Sequence, residues 1–258
     1  QHMSYNRLMA WNSFALVNGS LWIGIPKVAT TTLYRVWNKK FTTTYFNDNK
    51  EFLQSKLPTS KTNLWCVWRD PWQRWLSAVL QDYEMKMHIG QVHNGVKEHK
   101  ILNSNELQMI ADDISKHWRF GSSNLKNKAF QHSSLYVTRY ITLLWYLANE
   151  KCLCPTIEIY SVKKINQAIK KYLKKDFDNV FFNQSNQNNT THLETILKND
   201  GFYEKWQEQF DEDIKLDEIL SKDVKTFYIQ EWKDVVIPKS YTRVDNLYRR
   251  IKLPKKFN

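Results

Sequence analysis

The stretch Leu21-Trp22-Ile23-Gly24-Ile25-Pro26-Lys27-Val28-Ala29-Thr30-Thr31-Thr32-Leu33 (LWIGIPKVATTTL) decides the fold. Ser20 to Ile25 is short, apolar and closed by a proline, which reads as a buried strand. Thr30 to Lys40 reads as a helix with Leu33, Val36 and Trp37 on one face. A tight loop carrying Lys27 stands between them. A helix N-terminus offers N–H groups ahead of its own hydrogen-bond ladder, and a partial positive charge. The threonine hydroxyls add donors, and Lys27 adds a mobile full charge. Together they suit a phosphate or a sulfate. The plain alternative is a helix start capped by Thr30, with Lys27 in solvent. The loop that wraps a nucleoside triphosphate, G-x-x-x-x-G-K-[ST], is absent.

A second junction of the same kind follows in Val67 to Glu84, VWRDPWQRWLSAVLQDYE. Asn63 to Trp68 reads as another buried strand. Asp70 is a good N-cap and Pro71 fits the first helical position, so a helix runs from there to about His88. Trp72, Trp75, Leu76, Val79, Leu80 and Tyr83 recur at helical spacing and face the core. Gln73, Ser77 and Gln81, four apart, share another face. Arg69 offers a planar fork and Ser77 a hydroxyl, the chemistry of a second anion site.

Further along, residues 89–103 read as a loop, Ser104 to Trp118 as a helix capped by Asn103 or Ser104, and 121–132 as irregular. Leu135 to Ala148 leans to helix and Thr156 to Tyr160 is a short strand. Ser161 caps a helix to Lys175. The low-complexity run 183–192 (NQSNQNNTTH) reads as an exposed loop. Helices span about Leu193 to Leu220. Three strands, each followed by a helix, predict an α/β fold with a central parallel sheet flanked by helices and a helix-rich C-terminal part. Residues 4–258 read as a single domain. Ligands of such sheets bind at the carboxyl ends of the strands, where both junctions lie.

The chain has 258 residues, 42% of them hydrophobic, enough for a sizeable core. Its formal charge of +12 favours anionic partners. Lys163, Lys164, Lys170, Lys171, Lys174 and Lys175 read as the solvated face of one helix, with attraction of an acidic glycan as the alternative. No nucleic-acid-binding module and no basic run interleaved with aromatics is visible, so nucleic acid is not expected as a partner. Cys66, Cys152 and Cys154 are too few for a disulfide framework, which points to a reducing compartment. No run of ~18 apolar residues is present, and no signal peptide is visible. Gln1-His2-Met3 resembles a vector scar. The expectation is a cytoplasmic protein, or one of the Golgi lumen if an N-terminal anchor has been removed. His88, His93 and His99 are spaced five and six apart, which does not suit a metal on one helix face, and no metal is expected.

PKVATTTL resembles the 5′-phosphosulfate loop of sulfotransferases that use 3′-phosphoadenosine-5′-phosphosulfate (PAPS). Arg69, Asp70, Pro71, Arg74 and Ser77 resemble the family's Arg-Asp-Pro-x-x-Arg-x-x-Ser segment, which binds the 3′-phosphate. The resemblance covers about residues 20–85. It implies a P-loop-like sulfotransferase fold and transfer of a sulfuryl group from PAPS to an acceptor hydroxyl, releasing 3′-phosphoadenosine-5′-phosphate (PAP). It implies Lys27 as the catalytic lysine, and a donor site made of Pro26, Lys27, Val28, Ala29, Thr30, Thr31, Thr32 and Leu33 with Arg69 and Ser77. Ala29 stands where many members have glycine. Both motifs look closer to the carbohydrate branch, which implies a glycan acceptor; a small-molecule, lipid or peptide hydroxyl is the alternative. The family's base is a His or a Glu. HWRFGSS (His117 to Ser123) is similar to the family's His-Trp-x-Pro-Gln segment, with Phe120-Gly121 replacing Pro-Gln, and nominates His117. His88, His93, His99 and Glu84 stay open beside it. A nucleotide kinase and a basic anion-binding or nucleic-acid-binding protein are the readings outside the family.

Overall fold

The computed structural model describes residues 14–37, 43–46, 62–86, 92–93, 96–97, 101–117, 133, 136–152, 154–174, 186–220, 224–228 and 231–232. Among the described residues the main sheet has six strands in the order β3-β1-β2-β4-β7-β8. These are β1 (Phe14–Val17), β2 (Ser20–Ile23), β3 (Thr43–Phe46), β4 (Asn63–Trp68), β7 (Thr156–Ser161) and β8 (Lys225–Tyr228). A separate pair, β5 (Val92–His93) and β6 (Val96–Lys97), lies within the segment expected to be loop. The helices are α1 (Thr30–Trp37), α2 (Pro71–Lys86), α3 (Ser104–His117), α4 (Val137–Cys152), α5 (Ile165–Ala168), α6 (Gln187–Asn199), α7 (Phe202–Gln209) and α8 (Asp211–Leu220).

The architecture is α/β, but the sheet is mixed rather than parallel throughout. Only the centre is parallel: β2 pairs with β4 and β4 with β7. The edges are antiparallel. The reason on one side is the Asn18-Gly19 turn. Val17 pairs with Ser20, and the two residues between them have φ of 48° and 76°. A two-residue hairpin whose twist matches its strands needs both central residues at positive φ, which Asn and Gly adopt most readily. On the other side the C-terminal tail returns as β8 against β7.

The central strands are apolar because both faces are covered. Leu64 to Trp68 are all buried. Side chains alternate across a strand, so Trp22, Trp65 and Glu158, which are neighbours in register, share one face. Tyr172 stacks on Trp65 with ring centroids 4.7 Å apart and planes 4° apart, which seats the helical stretch 162–173 on that face. That stretch begins at Ser161, whose hydroxyl caps it by accepting from the Lys163 N–H. It is not one regular helix: a 3₁₀ turn (Val162–Lys164) leads into α5 and then a π-helical turn (Ile169–Leu173). On the other face, Trp68 donates its indole N–H to Asp217 of α8 at 2.7 Å.

The aromatic stripe of α2 is buried as its spacing predicts, in a second core with α3, α6 and α7. Trp72 and Trp75 stack at 5.1 Å, and Trp206 packs edge-on to Trp72 at 4.9 Å. Asn103 caps α3 reciprocally: it accepts the Glu106 N–H at 2.9 Å, and Glu106 accepts the Asn103 N–H at 2.9 Å.

The exposed loop expected at 183–192 is a correction. Residues 187–192 open α6, and 183–185 lie outside the described residues. Asn186 is its N-cap, accepting from the N–H groups of Asn188 and Asn189. Asn189 is buried, and its side-chain oxygen receives the Leu102 N–H at 3.0 Å. Asparagine here starts a helix and satisfies a neighbouring segment, two roles that composition cannot separate from a loop.

Candidate anion site at the strand carboxyl ends

The loop between β2 and α1 is tightly braced. The Thr30 hydroxyl donates back to the Ile25 carbonyl at 2.5 Å, and the Tyr140 hydroxyl of α4 donates to the Gly24 carbonyl at 3.3 Å. Between these anchors φ changes sign at each residue: Lys27 stands at 67°, Val28 is negative, and Ala29 stands at 63°. Backbone that alternates in this way turns successive N–H groups toward one side, a geometry that cradles anions. Neither positive-φ residue is glycine, so the loop carries strain of about 1–2 kcal/mol at each. The first bond of the α1 ladder runs from the Leu33 N–H to the Ala29 carbonyl at 3.0 Å. The N–H groups of residues 30–32 therefore precede the ladder, at the positive end of the helix.

The side chains of this segment divide sharply. Val28, Thr32 and Leu33 are turned into the core, at 0–1% exposure. Any contact they make with an anion runs through the main chain. Pro26, Lys27 and Ala29 are half-buried at the surface. The Thr30 hydroxyl keeps its lone pairs while donating to Ile25. The Thr31 side chain lies outside the described residues.

Arg69 meets this loop from the next strand. Its Nη1 approaches the Lys27 carbonyl at 3.5 Å. Burial pulls the guanidinium pKa below its ordinary range, and Asp70 draws it partly back. An arginine stays charged under such pressure, so a half-buried cation lies beside the loop. Asp70 is committed to capping, accepting the Gln73 N–H at 2.7 Å. Ser77 is buried two turns into α2. The polar stripe it belongs to is not simply solvated: Gln73 donates to Glu194 of α6 at 3.1 Å, beside the Trp72 indole at 3.0 Å from the same carboxylate.

Arg74 has a different task from Arg69. It is buried, and its charge is felt by Asp213 of α8. The Asp213 carboxylate takes the N–H groups of Val137 at 3.0 Å and Thr138 at 2.7 Å, so it caps α4 from another helix. Burial raises the Asp213 pKa, while Thr138, Arg74 and Val137 oppose the rise.

Two residues near the site escaped the sequence reading. Tyr140 braces Gly24, and Asp217 sits under Trp68, its pKa raised by burial and by the nearby charge of Asp70 and lowered by Lys163. Both reach the site from helices distant in sequence, and no local pattern marks them. Of the candidate bases, His117 ends α3, His93 lies in β5 and Glu84 lies in α2, but their side chains lie outside the described residues, as do His88 and His99. Among the described residues there is no group of His, Cys, Asp and Glu that could hold a metal. None of the described helices is long and apolar enough to cross a membrane.

Comparison with protein-family models, with curated proteins and with solved structures found no match for this chain.

Proposed function

We infer that the chain is a PAPS-dependent sulfotransferase of P-loop-like fold that sulfates a hydroxyl, with carbohydrate as the acceptor class. One observation carries the reading: the guanidinium of Arg69 and the main chain of Lys27 meet at 3.5 Å. The two motifs that resemble the family's donor loops are thus neighbours in space as well as in order. A site for a single 5′-phosphosulfate needs one helix N-terminus and one nearby cation, and Lys27 at the head of α1 supports that reading. A 3′-phosphate needs a second, separate cation and a hydroxyl, the roles of Arg69 and Ser77.

In the reaction the acceptor oxygen attacks the sulfur. The bond from sulfur to the bridging oxygen breaks, and PAP leaves with the electron pair. Lys27 stabilises the charge that grows on that oxygen, helped by the N–H groups of residues 30–32. The acceptor proton passes to a base, for which His117 is the first choice. Cys66 and Cys154 are free buried thiols, which accords with a cytoplasmic setting. Thermal melting with PAP, ADP and ATP tests the proposal. PAP is expected to raise the melting temperature most; equal shifts from all three, or none from PAP, would sink it.

A further inference from the structure

The lysine face of residues 163–174 gains meaning from its position. Ser161, at the end of β7, is in register with Trp68, the residue before Arg69. Lys163 and Lys164 therefore emerge at the same sheet edge as the anion site. The helical stretch then runs back over the sheet. Its far end reaches the opposite edge, where Asn18 of the β1–β2 hairpin donates to the Tyr172 carbonyl at 3.0 Å. At 1.5 Å per residue the lysines extend over about 16 Å, in two tiers about 10 Å apart.

The inward side is fully used: Ile165, Ala168, Ile169, Tyr172 and Leu173 are buried. The outward side holds Lys163, Lys170, Lys171 and Lys174 exposed and Lys164 half-exposed. Residues 162–174 contain no acidic residue to balance them. Among the described residues, only Lys171 of the five is in an ion pair, with Glu158 at 2.5 Å. Glu158 offsets Lys171 and Asp217 lies in the field of Lys163, but charge of one sign gathered on one face still raises the local attraction for anions.

The chemistry of the row narrows the occupant. It contains lysine and no arginine. Hydrated ammonium groups are point charges that impose no fixed fork on their anion, so a flexible polymer with scattered anionic groups fits the row. No aromatic is exposed along it, since Tyr172 is buried. Single-stranded nucleic acid would want such stacking platforms.

We propose that the lysine face of residues 163–174 is the docking surface for an acidic polysaccharide, which lays its chain along the row and presents a hydroxyl at the Lys27 edge. The identity of that polymer as the acceptor rests on the sulfotransferase reading; the docking itself does not. Heparin serves as the anionic probe, dextran as the neutral one, and a thirty-residue oligothymidylate as the nucleic-acid one. The full chain is compared with a Lys163→Gln/Lys170→Gln/Lys174→Gln variant, its Lys→Arg counterpart, and a control altered at Lys116, Lys205 and Lys215.

The glutamine variant is expected to bind heparin about tenfold more weakly. Its salt dependence should fall by roughly one unit of slope per lysine removed. The arginine counterpart and the control should bind like the parent, and dextran should bind to none. The melting temperature and the PAP shift should be unchanged in all. Heparin binding that survives the three glutamines overturns the proposal. So does oligothymidylate binding as tight as heparin and lost with it. A parent protein without a PAP-specific shift would instead strike the sulfotransferase reading, and the heparin comparison would still decide the docking surface.

Discussion

Asp213 and Thr138 join two helices end to end: the carboxylate of one caps the first turn of the other at 2.7 Å. The pairing is buried, and the nearby charge of Arg74 favours the carboxylate. Asp213→Ala is expected to lower unfolding stability by about 1–3 kcal/mol, because it leaves the buried N–H groups of Val137 and Thr138 without their acceptor. Asp213→Asn keeps an acceptor oxygen and should cost less. Urea unfolding of the two variants checks this; equal losses would show that the capping bonds are not what the carboxylate supplies.

Ala29 holds φ at 63° without being glycine. Ala29→Gly should therefore raise stability, by up to about 1 kcal/mol after the entropy that glycine restores to the unfolded chain. Ala29→Val should lower it by more, since a branched side chain resists positive φ. Thermal melts of the two variants should move in opposite directions. If both fall, the loop is not strained at this residue.

The sulfotransferase reading separates the roles of Lys27 and Arg69. Lys27→Ala should cut turnover of labelled sulfate by about two to three orders of magnitude while PAP still binds. Arg69→Ala should weaken PAP by about 10–100-fold, the worth of hydrogen bonds to a charged group. Arg69→Lys should recover only part of that, because an ammonium lacks the planar fork. Ser77→Ala should weaken PAP less. Calorimetric titration with PAP and a radiolabel transfer assay give both readouts. A fully active Lys27→Ala would refute its assigned role.

Asp217 titrates above its ordinary value near 3.8, because burial and Asp70 disfavour its charge. A raised acid means that the folded state binds the proton more tightly than the unfolded one. Stability is then gained as pH falls through the folded pKa, and the gain is complete below about 3.8. Asp217→Asn keeps an acceptor for the Trp68 indole but cannot titrate. The stability of the parent relative to Asp217→Asn should rise as pH is lowered from neutral toward 4. Unfolding curves of both proteins across that range should converge or cross; parallel curves would contradict the shift.

What was legible in the sequence was local. Asp70-Pro71, Asn103 with Glu106, and Ser161 each act within a few residues of themselves, and their caps stand where the spacing put them. The stripe of α2 repeats at 3.6 residues and is buried. Of the antiparallel strands, β3 is legible in the β-branched and aromatic residues of Phe41 to Phe46, whereas β1 and β8 were missed for different reasons. Phe14–Val17 lies before Asn18-Gly19, itself a hairpin signal, yet the reading began at Ser20. Lys225–Tyr228 carries little periodicity and becomes a strand through its pairing with β7. At the site, the loop and the Arg69 junction were readable as motifs. The split between Arg69, which faces the loop, and Arg74, which is buried within the field of Asp213, was not. Both follow the same pattern in sequence, and only the packing of α8 against α2 tells them apart.

The two-residue turn at Asn18-Gly19 also bears on how the protein comes to be made. A tight hairpin closes in roughly microseconds. The chain leaves the ribosome at about 5–20 residues per second. β1 and β2 can therefore pair long before β7 exists, and β7 before β8. Until then Trp65 lacks the ring of Tyr172 that stacks on it in the finished sheet, and Trp22 packs against Trp65 on the same open face. At that rate the nascent protein carries this aromatic surface for several seconds, which makes translation speed and chaperone supply, beside the stability of the final fold, levers on its yield.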